Sequence, residues 1–268
     1  MRKEFFVLEY LALVARALRF WTRIDLPVLS FEIDPHAPPV MNELAPAVPL
    51  AGALIGLAGA LVLALGAGLG LPALVTAVLA LALMAAVTGA MHEDGLADIA
   101  DAFGARVSIE RKLEIMKDPR LGSFGVVALG LALLLRAAVL ADLLAGQGWW
   151  RAGLLLVGAA AFARILGLWP LHALSAARLD GAGVSTGGLA FEPWRRGALI
   201  GALLALACGL IGVGLAATLA AFLAAAAVTW AVTRLADRQI GGYTGDVCGA
   251  TTIIAETAFL TAALIHIW

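Results

Sequence analysis

Four carboxylates crowd into ten residues of this chain, His92-Glu93-Asp94-Gly95-Leu96-Ala97-Asp98-Ile99-Ala100-Asp101, directly after an apolar run from Leu71 to Ala90. In a helix, Asp94, Asp98 and Asp101 stand at i, i+4 and i+7, within roughly 60° of one another at about 100° per residue. Three carboxylates on one stripe repel each other unless a cation sits among them. Hard oxygen ligands at the edge of an apolar segment suit Mg²⁺, which keeps several waters and shares its shell with substrate phosphates. The stripe predicts a membrane enzyme that acts on a phosphate or pyrophosphate. Glu93 projects about 100° to one side and is a further candidate around the metal. His92, just ahead of the acids, is a candidate for proton transfer.

Two more stretches could complete such a site. Lys117, Asp118 and Arg120 alternate in charge. Lys and Arg would meet a phosphate and Asp118 a metal. Simple anchoring of a basic loop accounts for Arg111 and Lys112 but poorly for Asp118. Gly241-Gly242-Tyr243-Thr244-Gly245-Asp246 is a tight loop whose N–H groups could cradle an anion, although ordinary turns share its composition. Three charges fall inside apolar stretches: Arg136, Arg164 and Glu256. Arg136 lies about 18 Å into its helix and needs an internal partner or a wet cavity. Arg164 and Glu256 lie at similar depth below one face. That predicts a pair, with snorkelling to the face as the alternative.

The elements that must position these groups are membrane helices. The chain has 268 residues, 62% hydrophobic and 14% charged, where soluble domains carry about a quarter charged residues. Its mean hydropathy is +0.98. No basic face with interleaved aromatics appears, which argues against nucleic acid as a partner. Cys208 and Cys248 are far apart, match no zinc or redox spacing and read as free thiols. The apolar stretch from Phe5 to Trp21 is interrupted by Glu9, Arg16 and Arg19 on one side of a helix, and no small-residue cleavage site follows. Residues 1–23 therefore predict an amphipathic helix lying in the membrane interface.

A span needs about 20 apolar residues. Seven stretches qualify: Pro49–Gly70, Leu71–Ala90, Phe124–Leu144, Trp149–Leu168, Ala198–Val213, Leu215–Leu235 and Ala250–Ile267. The expected fold is all-α, one polytopic helix bundle over residues 1–268 that forms a single catalytic domain. Basic residues fall in alternate connections: Arg106, Arg111, Lys112, Lys117 and Arg120, then Arg178, Arg195 and Arg196, then Arg234 and Arg238. The opposite connections are short and nearly uncharged. This asymmetry predicts a cytoplasmic N-terminus, an external C-terminus, and cytoplasmic loops near 91–123, 171–197 and 236–249 that carry every polar motif. A cation-coupled transporter is the rival of another class. The acidic stripe has no counterpart in the second half of the chain, and transporters are often built from repeats.

Taken together, the motifs resemble the cobalamin-5′-phosphate synthase family, also called the adenosylcobinamide-GDP ribazoletransferases. The resemblance starts at Phe20-Trp21-Thr22-Arg23-Ile24-Asp25-Leu26-Pro27 and Pro49-Leu50-Ala51-Gly52. It runs through the acidic stripe, Leu113-Glu114-Ile115-Met116-Lys117-Asp118, Arg120, Gly122, Arg164, Arg178, Gly181 and Gly183. It ends at Gly241-Gly242-Tyr243-Thr244-Gly245-Asp246 with Gly249, Ala250 and Glu256. The resemblance implies a reaction. The ribose 3′-hydroxyl of α-ribazole, or of its 5′-phosphate, attacks the cobinamide-side phosphate of adenosylcobinamide-GDP. GMP leaves, adenosylcobalamin or its 5′-phosphate forms, and Mg²⁺ is required. It implies Asp94, Asp98 and Asp101 as metal ligands and catalytic residues, with Asp118 or Asp246 completing the shell. Lys117 joins the catalytic set, and Arg120, Arg164, Arg178, Gly242, Thr244 and Gly245 bind substrate phosphates. It also implies a multi-pass protein of the bacterial inner membrane, with the bilayer and the two substrates as partners and room for a homo-oligomer. The CDP-alcohol phosphotransferases are a rival enzyme class. Their pattern wants an Arg soon after Asp-Gly-x-x-Ala, whereas here Asp98 directly follows Ala97.

Overall fold

The computed structural model describes residues 2–32, 38–178 and 188–265. Gly181 and Gly183 lie outside them. Among the described residues every named element is a helix, and the one β contact is an isolated parallel bridge between Ala176 and Tyr243. Helix α1 (Arg2–Trp21) buries Val14, Ala17 and Trp21 and leaves Val7, Leu8 and Leu11 exposed. Its polar side is pinned: Arg19 holds Glu32 at 2.6 Å, and Arg16 holds Glu43 of α2 (Met41–Leu44) at 3.1 Å. The helix thus turns an apolar strip outward and its arginines to ion pairs.

Helix α3 (Val48–Gly68) turns tightly into α4 (Ala73–Thr88). Gly89 and Ala90 then both adopt left-handed backbone, with φ of 66° and 57°. Two such residues in a row swing the chain by 90° into α5 (Met91–Gly104), the helix that carries the acids. Left-handed backbone at an alanine costs about 1–2 kcal/mol, so packing must hold this turn. There follow α6 (Ile109–Ile115), α7 (Ser123–Gln147), α8 (Trp149–Leu166), α9 (Trp169–Ala173), α10 (Phe191–Gly212), α11 (Leu215–Ile240) and α12 (Gly245–Ala262).

The core is built around α8. In its apolar segment 83% of residues are buried, against 28–56% in the other candidate spans, so α8 is the post on which the bundle leans. Its neighbours reach it through small residues. A Cβ on Gly52 of α3 would stand 2.5 Å from the Ala160 carbonyl, and one on Gly158 would stand 2.9 Å from Cβ of Cys208 in α10. In lipid, where apolar burial gives helices little reason to associate, such close backbone contact is a main source of affinity.

Among the described residues, five helices are long and apolar enough to cross a membrane: α3, α7, α8 with α9, α10 and α11. The expected span Leu71–Ala90 reaches that standard only when α4 and α5 are taken together, and they are bent by 90°. The expected span Ala250–Ile267 is α12, an 18-residue helix carrying Asp246, Glu256 and four threonines, too polar to count. The two departures from the seven-span expectation differ in cause: α4 is apolar but only 16 residues long before the turn into α5, whereas α12 is long enough but carries acids and threonines. Because α3, α7 and α10 each end in a tight link, those links gather at one end of the bundle. The acids of α5, residues 116–121 and residues 241–246 gather at the other.

Candidate active site

Helices α5 and α12 cross at Gly95, where a Cβ would stand 2.7 Å from the Asp246 carbonyl oxygen. Only glycine lets the first turn of α12 lie against the acidic side of α5. The crossing crowds Asp94, Asp98 and Asp246 together. Burial and then the charges of Asp94, Asp246 and Asp101 push Asp98 up to about 7. Burial also raises Asp246, offset in part by Arg178. One terminal nitrogen of Arg178, Nη2, stands 3.5 Å from the Asp246 carboxylate, while the other, Nη1, is buried with no partner. The Thr244 hydroxyl donates to the same carboxylate at 3.2 Å and accepts from the Val247 N–H at 3.3 Å, which caps α12.

Asp101 is placed differently from its two stripe neighbours. Its Oδ2 accepts from the Gly122 N–H at 2.7 Å, and its Oδ1 accepts from the Gly125 N–H at 2.8 Å. Those are N–H groups at the start of α7, so Asp101 of α5 supplies the cap that α7 lacks from its own sequence. A Cβ on either glycine would collide with its carboxylate. Both oxygens of this expected metal ligand already hold a helix.

The acids of α5 face a cleft of about 410 Å³. Glu93, Asp94 and Asp98 line one wall; Lys117, Asp118 and Arg120 line the other. Asp118 is gripped by Arg120 through Nε at 2.9 Å and Nη2 at 2.6 Å, which holds its carboxyl well below the usual range. As an expected metal ligand it would have to exchange that partner. Gly242 serves packing: a Cβ there would strike the Ser175 carbonyl, because residues 175–177 bridge to Tyr243 through bonds of 2.9 Å. Gly245, in contrast, faces open space.

Arg164, expected at a phosphate, points elsewhere. It donates to Glu256 at 3.0 Å and to the Ala160 carbonyl at 3.0 Å, with 5% of the residue exposed. The expected pair with Glu256 is present, and it is half of a larger cluster. Arg136 bonds the other oxygen of Glu256 and reaches Glu93 at 3.2 Å. Glu93, Arg136, Glu256 and Arg164 thus form a buried chain of alternating sign that ties α5, α7, α12 and α8 together. The depth of Arg136 was the sequence signal for an internal partner; nothing in the spacing named Glu93.

The cobalamin-5-phosphate synthase family matches residues 13–264 of the chain. The chain belongs to the cobalamin-5-phosphate synthase family. It is 48% identical over 256 residues to an adenosylcobinamide-GDP ribazoletransferase of Azorhizobium caulinodans, covering 96% of both chains. It is 45% identical over 249 residues to the enzyme of that name in Xanthobacter autotrophicus, covering 93% of this chain and 94% of that one. It is 40% identical over 251 residues to that of Mesorhizobium japonicum, covering 93% and 92%. No solved structure matches.

In this member of the cobalamin-5-phosphate synthases the donor set suits Mg²⁺ held in an open manner. Among the described residues, no three His, Cys, Asp or Glu side chains stand together as a group that could hold a metal ion. Mg²⁺ does not ask for one: it takes one or two carboxylates and fills the rest of its shell with waters and substrate phosphates. Asp94 and Asp98, one turn apart on α5 and both lining the cleft, are the two carboxylates such a shell would draw on. The repulsion that lifts Asp98 to about 7 is what a cation among them relieves.

Proposed function

We propose that this chain transfers the adenosylcobinamide phosphoryl group from adenosylcobinamide-GDP to α-ribazole or its 5′-phosphate, releasing GMP, at the cleft between α5 and residues 116–121. The observation that carries the reading is the facing of crowded carboxylates by cations across one cleft, in a chain whose relatives bear that name. A pyrophosphate cannot approach Asp94, Asp98 and Asp246 unaided. In this reading Asp94, Asp98 and Asp246 would hold Mg²⁺, which would supply charge neutralisation for the leaving GMP and Lewis-acid help to the attacking hydroxyl. Lys117, Arg120 and the unpartnered nitrogen of Arg178 grip phosphate oxygens, and Gly245 leaves room for them. Phosphoryl transfer asks a protein mainly for position and charge, and these residues supply both.

The same reading sets the protein in the bacterial inner membrane with seven crossings, α4 and α12 being the short ones. The acidic end then faces the cytoplasm, because Arg106, Arg111, Lys112, Lys117, Arg120, Arg195, Arg196, Arg234 and Arg238 lie at that end. The experiment is incubation of purified protein in detergent with adenosylcobinamide-GDP and α-ribazole 5′-phosphate, with and without Mg²⁺. GMP release that needs both substrates and the metal is the expected result. Absence of product with both substrates and Mg²⁺ present would sink the reading.

A further inference from the structure

A second cavity, of about 80 Å³, lies across the α5–α12 crossing from the acidic cleft. Phe20, Trp21, Met41, Leu171 and Tyr243 give it a largely apolar and aromatic wall, Cys248 of α12 adds to it, and Arg164 and Thr252 are its other polar side chains beside His92. His92 lines it from α5 with only 3% of the residue exposed, and its Nε2 is buried with no hydrogen-bond partner. A buried imidazole nitrogen without a partner has lost its hydration and gains from any group that arrives to bond it. At about 10–15 Å³ per water, the cavity has room for about five waters, close to the volume of one bicyclic aromatic ring. The rim toward the acids is Gly245, which has nothing within 4 Å of where a side chain would begin and is followed directly by Asp246.

We propose that this cavity seats the bicyclic base of the nucleoside acceptor, with His92 Nε2 bonding its unsubstituted ring nitrogen and the ribose passing over Gly245 toward the acids. The proposal rests on the reading of the chain as a ribazoletransferase. Its content is the place of the acceptor and the recognition of the base. A benzimidazole-type base is apolar apart from its ring nitrogens, so a donor from His92 in an aromatic box suffices for it, while Arg164 is engaged by Glu256 and the Thr252 hydroxyl by the Cys248 carbonyl. Guanine, the base on the leaving side, would bring an N1–H and an amino group that need acceptors, and no carboxylate lines this cavity. The donor nucleotide thus belongs on the acidic side and the acceptor base on the aromatic side, which places the attacking hydroxyl between them.

The test is equilibrium binding of free 5,6-dimethylbenzimidazole and of GMP to the purified full chain in detergent, with steady-state KM values for both substrates. Cys248→Leu fills the cavity. His92→Ala removes the bonding nitrogen, and His92→Gln restores a donor at a similar reach. Expected are loss of base binding and a rise of about tenfold or more in KM for α-ribazole in Cys248→Leu and His92→Ala, with KM for adenosylcobinamide-GDP within about twofold. His92→Gln recovers part of the loss, and Asp98→Asn leaves base binding intact. If Cys248→Leu fails to fold, the two His92 variants carry the comparison. Base binding untouched by all three variants overturns the proposal, as does a KM rise confined to adenosylcobinamide-GDP or displacement of the base by GMP. Base binding at this cavity without product formation would instead overturn the ribazoletransferase reading and leave the cavity assignment standing.

Discussion

Asp94, Asp98 and Asp101 share one stripe of α5 and do not share one task. Asp94 and Asp98 face the cleft, whereas Asp101 holds the start of α7 through two main-chain bonds. Asp94→Asn and Asp98→Asn should each lower kcat/KM by about a hundredfold or more without lowering the melting temperature, the scale of losing one preorganised electrostatic contact. Asp101→Ala should instead lower stability by about 1 kcal/mol, the value of an N-cap, with a fall in melting temperature as the readout. Equal melting temperatures for all three would contradict the division. A proton test follows from the crowding. Asp98 stands at about 7 in the fold against an ordinary 3.8, so between those values the folded chain binds a proton that the unfolded chain has released. The contribution of Asp98 to stability therefore falls as pH rises from about 4 towards 7 and levels off above it. Melting curves in chelator for the protein and for Asp98→Asn should converge towards acid and separate towards pH 8, with the variant the more stable. Curves that stay parallel would count against the crowding.

At the scale of elements, the cluster of Glu93, Arg136, Glu256 and Arg164 decides how four helices meet. Its charges alternate and cancel, so removing one member leaves an uncompensated charge inside the bundle. Glu256→Gln alone should cost about 3–5 kcal/mol. Glu256→Gln with Arg164→Met should cost less, because the surviving pair of Glu93 and Arg136 is again neutral and lies within 3.2 Å. A double-mutant cycle by thermal melting checks this, and additive losses would refute it. The sequence showed the depth of Arg136, Arg164 and Glu256, since hydropathy alone places a charge within a span. It also showed the acids on one helical face, which the 3.6-residue period dictates. It could not show that Glu93 turns inward or that Asp101 turns to α7, because both depend on which helix packs alongside. The glycines that set those neighbours, Gly95, Gly122 and Gly125, look in a sequence like any other glycine. The same holds for Gly242: composition suggested an anion cradle, and the space is taken by residues 175–177.

At the scale of the whole molecule, the basic loops and the acidic cleft belong to one end and the tight links at Gly148 and Gly214 to the other. Single cysteines at Ser108 and Arg238, on a background lacking Cys208 and Cys248, should react with an impermeant reagent only from the cytoplasmic side. A cysteine at Gly146 should react only from outside. Ser108 and Arg238 on opposite sides would break the arrangement. Most of this layout was readable from apolar length and the placement of Lys and Arg. What was not readable is that α4 is too short and α12 too polar to pass as a span on its own. Their apolar stretches meet the length requirement on paper, and the 90° turn at Gly89–Ala90 follows from packing that no window of residues contains.

The ion cluster also has a history within each chain's synthesis. Arg164 meets Glu256 across 92 residues of sequence, and Arg136 meets it across 120. At about 5–20 residues per second, α8 is made roughly 5–20 s before its counter-charge exists. During that wait Arg164 sits in a helix that the finished protein shields almost completely, at a cost of about 2.5–3.5 kcal/mol if lipid reaches it. The nascent helices must therefore be sheltered by the insertion machinery or by one another until α12 arrives as the closing piece. A chain stopped after α11 should be cleared from the membrane several times faster in a pulse-chase than the full chain, and replacing Arg164 with Met should lengthen the life of the truncated form. Equal lifetimes for the truncated and full chains would mean that the early helices assemble without their last partner.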